Sequence, residues 1–195
     1  MSFFRLWILG YINPVKMVDE LQAKPAPHWG LFAQLVRALL DAFLLYLPLS
    51  LLGMVPPTPS NLSLFPTEQY YGTLVWLSPI VLIAELLMQA AVIHVVIRLS
   101  GRHSSFDQVV NIIGMAALVV GAVLLVWDWA WISIGGVDQY FLGYSHLAIS
   151  LWALAITVIG LKRILAVPVW LGSLLALLAM PVALPFAIMF MRSPL

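Results

Sequence analysis

Ala116-Ala117-Leu118-Val119-Val120-Gly121-Ala122-Val123-Leu124-Leu125-Val126 carries no polar side chain in eleven residues. It sits inside a longer apolar stretch from Phe106 to Ile132, and four more stretches share its character: Leu31 to Met54, Thr73 to Leu99, Ser145 to Leu161 and Pro168 to Met191. A helix of ~20 mostly apolar residues crosses a ~30 Å hydrocarbon core. Backbone groups cannot stay unpaired in lipid, so a spanning segment is either an α-helix or a strand of a closed barrel. Barrel strands alternate apolar and polar residues. The run at 116–126 does not, and neither does LGSLLALLAM at 171–180. The expected fold is therefore all-α: a polytopic bundle of five transmembrane helices.

Composition agrees. The chain has 195 residues, 63% of them hydrophobic and 9% charged, against ~25% charged in ordinary soluble domains. The nine Lys and Arg are scattered, with no basic stripe of the kind that binds nucleic acid. With zero cysteines, disulfides, thiolate metal sites and cysteine nucleophiles are excluded.

The loops set an expected orientation. Arg5, Lys16, Lys24 and Arg37 lie before or just inside the first stretch; Arg98 and Arg102 follow the second; Lys162 and Arg163 follow the fourth. The loops at 55–72 and 133–144 contain neither Lys nor Arg, and only Arg192 lies on that side. Short loops rich in Lys and Arg stay cytoplasmic, which predicts an inner N-terminus and an outer C-terminus. Aromatics follow the same plan, with Tyr70, Tyr71, Trp76, Trp127, Trp129 and Trp131 at the outer level and Trp29 and Trp170 at the inner one.

Residues 1–29 form a separate segment ahead of the membrane domain at 30–195. Phe3 to Leu9 is apolar apart from Arg5, too short to cross, and ended by Gly10. Asn13-Pro14 then reads as an N-cap followed by proline at the first helical position. Val15, Val18 and Leu21 share one face of the next ten residues, with Lys16, Asp19 and Glu20 elsewhere. This predicts a short amphipathic helix lying on the cytoplasmic leaflet, or else packed under the bundle. The outer loop holds Pro56, Pro57, Pro59 and Pro66 and reads as extended and irregular. Asn61-Leu62-Ser63 matches a glycosylation acceptor, a pattern too common to carry weight. Pro181 and Pro185 inside the last stretch predict a kink.

Ionisable groups at membrane depth cost roughly 2.5–3.5 kcal/mol each, so each one needs an account. Arg37 and Asp41 are four residues apart and share a helix face, as do Glu85 and Gln89 on the next stretch. On the third, Asp107, Asn111, Gly114, Leu118, Gly121 and Asp128 form a small-and-polar stripe expected to face the first two spans. Arg37, Asp41, Glu85, Gln89, Asp107 and Asn111 are thus the candidate site. Either they fix helix packing, or they line a hydrated pocket that takes an ion, a lipid headgroup or a small solute. His94 is expected beside Arg98, while His28 and His103 are surface residues. Haem ligation is disfavoured because His94 and His146 sit toward opposite ends of the bundle, and no cofactor or metal is expected. No HExxH, nucleophile elbow or phosphate loop is present, so no enzyme is expected.

Three segments carry a resemblance. Gly10-Tyr11-Ile12-Asn13-Pro14 opens the short helix, Ser100 to Gln108 (SGRHSSFDQ) links the second and third spans ahead of Gly114-Met115-Ala116, and Gly160-Leu161-Lys162-Arg163 closes the fourth. With five spans and an inner N-terminus, the chain resembles the Yip family (Ypt-interacting protein domain) in its short prokaryotic form. Eukaryotic members are five-span proteins of the early secretory pathway that associate with Rab-type GTPases and help organise traffic and membrane shape. Their long cytosolic N-terminal region is missing here, which argues against GTPase binding. The third span also lacks the proline often found after a Gly-aromatic-Ala step, with Leu118 and Val119 in that region. The resemblance implies a non-enzymatic protein of the bacterial cytoplasmic (inner) membrane, acting in membrane organisation on the bilayer and on other membrane proteins or itself. The alternative is a small transporter or channel built on Asp41, Glu85 and Gln89.

Overall fold

The computed structural model describes residues 2–23, 28–56, 65–135 and 138–190. Among these, all regular structure is helical. Two short helices come first, α1 (Phe3–Ile12) and α2 (Pro14–Ala23). A long helix follows in three parts: α3 (Trp29–Asp41), a π-helical turn (Ala42–Tyr46) and α4 (Leu47–Leu51). After a 3-10 turn (Thr67–Gln69) come α5 (Tyr70–Leu99), α6 (Phe106–Ser133), α7 (Gln139–Leu165) and α8 (Val169–Phe190).

Among the described residues, four helices are long and apolar enough to cross a membrane: Trp29–Leu51, Thr67–Leu99, Phe106–Ser133 and Tyr140–Leu165. The expected fifth, α8, has its side chains described continuously only over Val169–Val182, a shorter apolar helix. Its backbone stays helical through both Pro181 and Pro185.

Several boundaries differ from the hydropathy reading, two of them for a visible reason. The first long helix stops at Leu51 because Gly53 turns the chain with φ 66°, and the Met54 amide closes back on the Leu49 carbonyl. This is a Schellman-type end, which needs the positive φ that glycine adopts without a Cβ clash. The fourth helix starts at Gln139 instead of Ser145. Asp138 caps it by accepting from the amides of Tyr140 and Phe141, and the aromatic first turns carry too little hydropathy to register.

α6 is the central helix. In its most apolar window 72% of residues are buried inside the protein, against 22–44% in the other three long helices. The others form a ring around it. α3 packs on α5, α5 on α8, α8 on α7, α7 on α2 and α2 on α1. Phe3 of α1 closes the ring against Trp29 and Phe32 of α3. The buried stretch from Val109 to Gly121, which overlaps the first half of the run at 116–126, is the wall on which the rest of the chain is assembled. One end of the bundle, where exposed Arg98, Arg102, Lys162 and Arg163 emerge, is the basic end; the other carries Trp127, Trp129 and Trp131.

The N-terminal helices form an antiparallel hairpin. Asn13 accepts from the Lys16 amide at 2.9 Å as the N-cap, with Pro14 opening α2. α1 does not end at Gly10 as expected but runs two residues further, because Gly10 is buried against Val119 of α6 and Met17 of α2. The apolar face of α2 is turned inward: Met17, Val18 and Leu21 are buried in a cluster with Met115, Val119 and Ile156. Tyr70 and Tyr71 likewise pack inward, with Leu45, Leu49 and Leu125; Trp76 of the same helix is exposed. Most of the proline-rich outer loop, including Pro57, Pro59 and Asn61, falls outside the described residues.

Candidate functional site

The predicted stripe on α6 meets α3 through two glycines. Gly30 and Gly114 approach so closely that a Cβ on either would overlap the backbone of the helix opposite. Such an approach is how small residues let transmembrane helices gain packing contacts. It also brings an orphan donor within reach. The Gly30 amide lies in the first turn of α3, where an N–H has no intrahelical partner. His28 precedes it with φ 68° and no side-chain cap, so Asn111 of α6 supplies the acceptor at 2.7 Å. Asn111 therefore caps a helix to which it does not belong.

One turn higher, Gln34 is buried at the α3–α5 contact and donates through Nε2 to the Leu82 carbonyl at 2.8 Å. Above it the Arg37 stem lies on Gly121, where a Cβ would collide with its Cγ, Cδ and Nε atoms. Arg37 Nε is 3.8 Å from Asp41 Oδ2, a long ion pair along one helix face. Directly after Asp41 the helix widens into the π-turn, a distortion often found at functional sites. Pro48 then has no N–H to offer the Leu44 carbonyl four residues back. Trp129 of α6 supplies it instead, its indole N–H donating at 2.7 Å.

Of the six predicted residues, Asn111 and Arg37 touch a neighbouring helix directly, and two pairs form within single helices. Arg37 and Asp41 pair, Glu85 accepts from Gln89 Nε2 at 3.2 Å, and Asn111 holds Gly30. Glu85 is half-buried and lies within Coulombic range of Arg37. Asp107 does not join them. It is exposed in the first turn of α6, at the basic end, where a carboxylate favours the positive end of the helix dipole. His94 does not turn to Arg98; its Nδ1 lies 3.0 Å from Ser104 Oγ and its ring packs edge-on against Phe106.

Several participants escaped the sequence reading. Gln34, at the α3–α5 contact, and Ser78 of α5 are buried polar residues. Among the described residues, Gln34 Oε1, Arg37 Nε and Ser78 Oγ are buried without a hydrogen-bond partner. Ser78 stands one turn before Leu82, whose carbonyl Gln34 holds, a spacing readable only once the two helices are known to cross there. Nearer the tryptophan end, Asp128 is 2.7 Å from His146 Nε2 of α7, and Trp127 donates to Ser145 at 2.8 Å. A shallow groove of about 600 Å³ lies on the outside of α5, lined by Ser50, Gly72, Thr73, Trp76 and Ile80 among others; no residue of the cluster lines it.

Residues 9–191 match the Yip1 domain. The chain belongs to the Yip1 domain family. The Yip1 match takes in the end of α1, all of α2 and every long helix, and so every residue of the α3–α5–α6 cluster. Comparison with curated proteins and with solved structures found no match. The three segments that resemble the Yip family occupy the tip of the N-terminal hairpin, the α5–α6 turn and the last turn of α7. All three are connections or helix ends around α6.

Proposed function

We propose that this Yip1-domain protein crosses a bacterial inner membrane five times, N-terminus inside and C-terminus outside, and organises that membrane without catalysis. The observation that carries the reading is the use made of its inner polar groups. Asn111 closes the end of α3, Gln34 ties α3 to α5 and Arg37 lies along α6 beside Asp41. These groups act as fasteners between helices. The backbone of α8 runs 22 residues, or about 33 Å, which supports a fifth crossing. Its partners are the bilayer itself and other membrane proteins or further copies of this chain. Labelling of single cysteines at Thr58 and Arg102 in sealed cells tests the topology. Thr58 is expected to react from outside and Arg102 only after permeabilisation; the reverse pattern overturns the orientation.

A second reading, a small transporter or channel, is favoured by one observation. Among the described residues, Gln34 Oε1, Arg37 Nε, Ser78 Oγ and Trp131 Nε1 are buried without hydrogen-bond partners. Buried polar atoms in native proteins are normally satisfied, often by water, and a polar solute would serve equally. Ion or proton flux through proteoliposomes that disappears in Glu85→Gln while the fold persists would establish this reading over the first.

A further inference from the structure

The α1–α2 hairpin covers one half of α6. Its open end is fastened at the basic end of the bundle, where Asp19 meets Arg163 in the last turn of α7 at 2.7 Å, and Arg5 meets Glu20 between the two helices at 2.7 Å. Its closed end stops at mid-height. Gly10 sits against Val119, at the middle of Phe106–Ser133, and its carbonyl accepts from Trp152 Nε1 at 3.3 Å, where Trp152 is the central residue of Gln139–Leu165. The surface of α6 records the same limit. Val119 is fully buried beneath the hairpin, whereas Val123 and Val126, further along the same face, are 39% and 70% exposed.

Each hairpin helix has ten residues, ~15 Å of rise and so half of a ~30 Å hydrocarbon core. The face of α1 turned away from the bundle is apolar: Phe4, Ile8 and Ile12, spaced four apart, are 68%, 56% and 76% exposed. Leu151 of α7, 56% exposed near the hairpin tip, presents the same kind of surface at the same height. Between Leu6 and Val18 the one charge is Lys16, in the first turn of α2 beside the tip.

The geometry points to a half-membrane insertion: α1 and α2 stand upright in the leaflet at the basic end, with Phe4, Ile8 and Ile12 against its acyl chains and the Asn13 tip near the bilayer midplane. This inference rests on the spanning reading of the long helices and departs from a helix lying flat on the leaflet. Both helices add width to that leaflet and none to the other, which gives a membrane-organising protein a physical means of acting on leaflet area. The polar ends of the hairpin fit the arrangement, since Arg5, Asp19, Glu20 and Arg163 then gather at the headgroup level, paired.

The chain has no cysteine, so single cysteines at Phe4, Ile8, Ile12 and Leu151 can each be spin-labelled in the full chain and placed in phosphatidylcholine–phosphatidylglycerol vesicles. Depth is read from the opposed accessibility to oxygen and to a water-soluble nickel chelate. The three α1 positions share one face, so a flat helix would hold them at equal depth. An upright one places Ile12 deeper than Phe4 by ~12 Å, with Ile8 between them. The expected result is that gradient, with Ile12 at the depth of Leu151. Equal, shallow depths for the α1 labels beside a deep Leu151 overturn the insertion and leave the spanning reading intact. A Leu151 label open to the nickel chelate overturns both. If the Ile12 variant does not assemble, the exposed Tyr11 gives the same tip reading.

Discussion

Asn111 Oδ1 accepts the Gly30 amide across 81 residues of sequence, and this bond ends one membrane helix with a side chain from another. Its removal strands a buried N–H in a place that water does not reach. Such a group costs about 1–3 kcal/mol. Asn111→Ala is expected to lower stability in detergent unfolding by that amount, with helicity unchanged. A loss below a few tenths would show that another acceptor reaches Gly30.

Gly114→Val tests the same crossing sterically. The new side chain meets the Gly30 backbone, which cannot move aside as a flexible side chain could. Overpacking in a well-filled core costs typically about 1–3 kcal/mol, and separation of α3 from α6 would break the Asn111 bond as well. The expected loss therefore exceeds that of Asn111→Ala, measured in the same detergent series. Gly114→Ala should fall between wild type and Gly114→Val.

Arg37 and Asp41 call for a double-mutant cycle. Breaking a buried ion pair by removing one partner costs about 3–5 kcal/mol, whereas replacing both with apolar residues is often close to neutral. At 3.8 Å the pair is long, and the Arg37 stem can redirect its charge, so Asp41→Leu should cost about 2 kcal/mol, below that range. The double variant Arg37→Met/Asp41→Leu is expected to be more stable than Asp41→Leu alone. The opposite order would mean that Arg37 is held by something other than Asp41.

The hairpin is expected to be held by packing more than by charge. Arg163 and Asp19 are each nearly half exposed, and exposed pairs contribute about 0–1 kcal/mol. Met17 is fully buried, and truncation of a buried methionine to alanine costs about 2–5 kcal/mol. Amide hydrogen exchange in α2 should therefore accelerate in Met17→Ala and remain close to wild type in Arg163→Gln.

Hydropathy made the helical class and most helix positions legible, because long apolar runs leave few alternatives in lipid. It misjudged the start of α7, where Tyr140, Phe141 and Tyr144 weigh little on such scales yet complete a helix capped by Asp138. The α6 stripe was legible toward α3 because its glycines and Asn111 share a face. Asp107 was misread because the same periodicity continues to the helix end, where depth and not face decides exposure. Pairings between helices were beyond a single sequence. Nothing in the spacing of Asp128 and His146, or of Gln34 and Leu82, says that those helices touch at those heights. The hairpin's position was hidden for a related reason: one inward apolar face on α2 suits a lipid surface and a protein wall equally well.

The ring around α6 also fixes an order of events during synthesis. The segment made first is among the last to find its place, because Asp19 must wait for Arg163, 144 residues later, and Gly10 for Trp152, 142 residues later. At ~5–20 residues per second, the pairing of Asp19 with Arg163 waits about 7–30 s after Asp19 is made. A chain interrupted before α6 would leave the membrane quality-control machinery an unburied Met17, Val18 and Leu21 to act on.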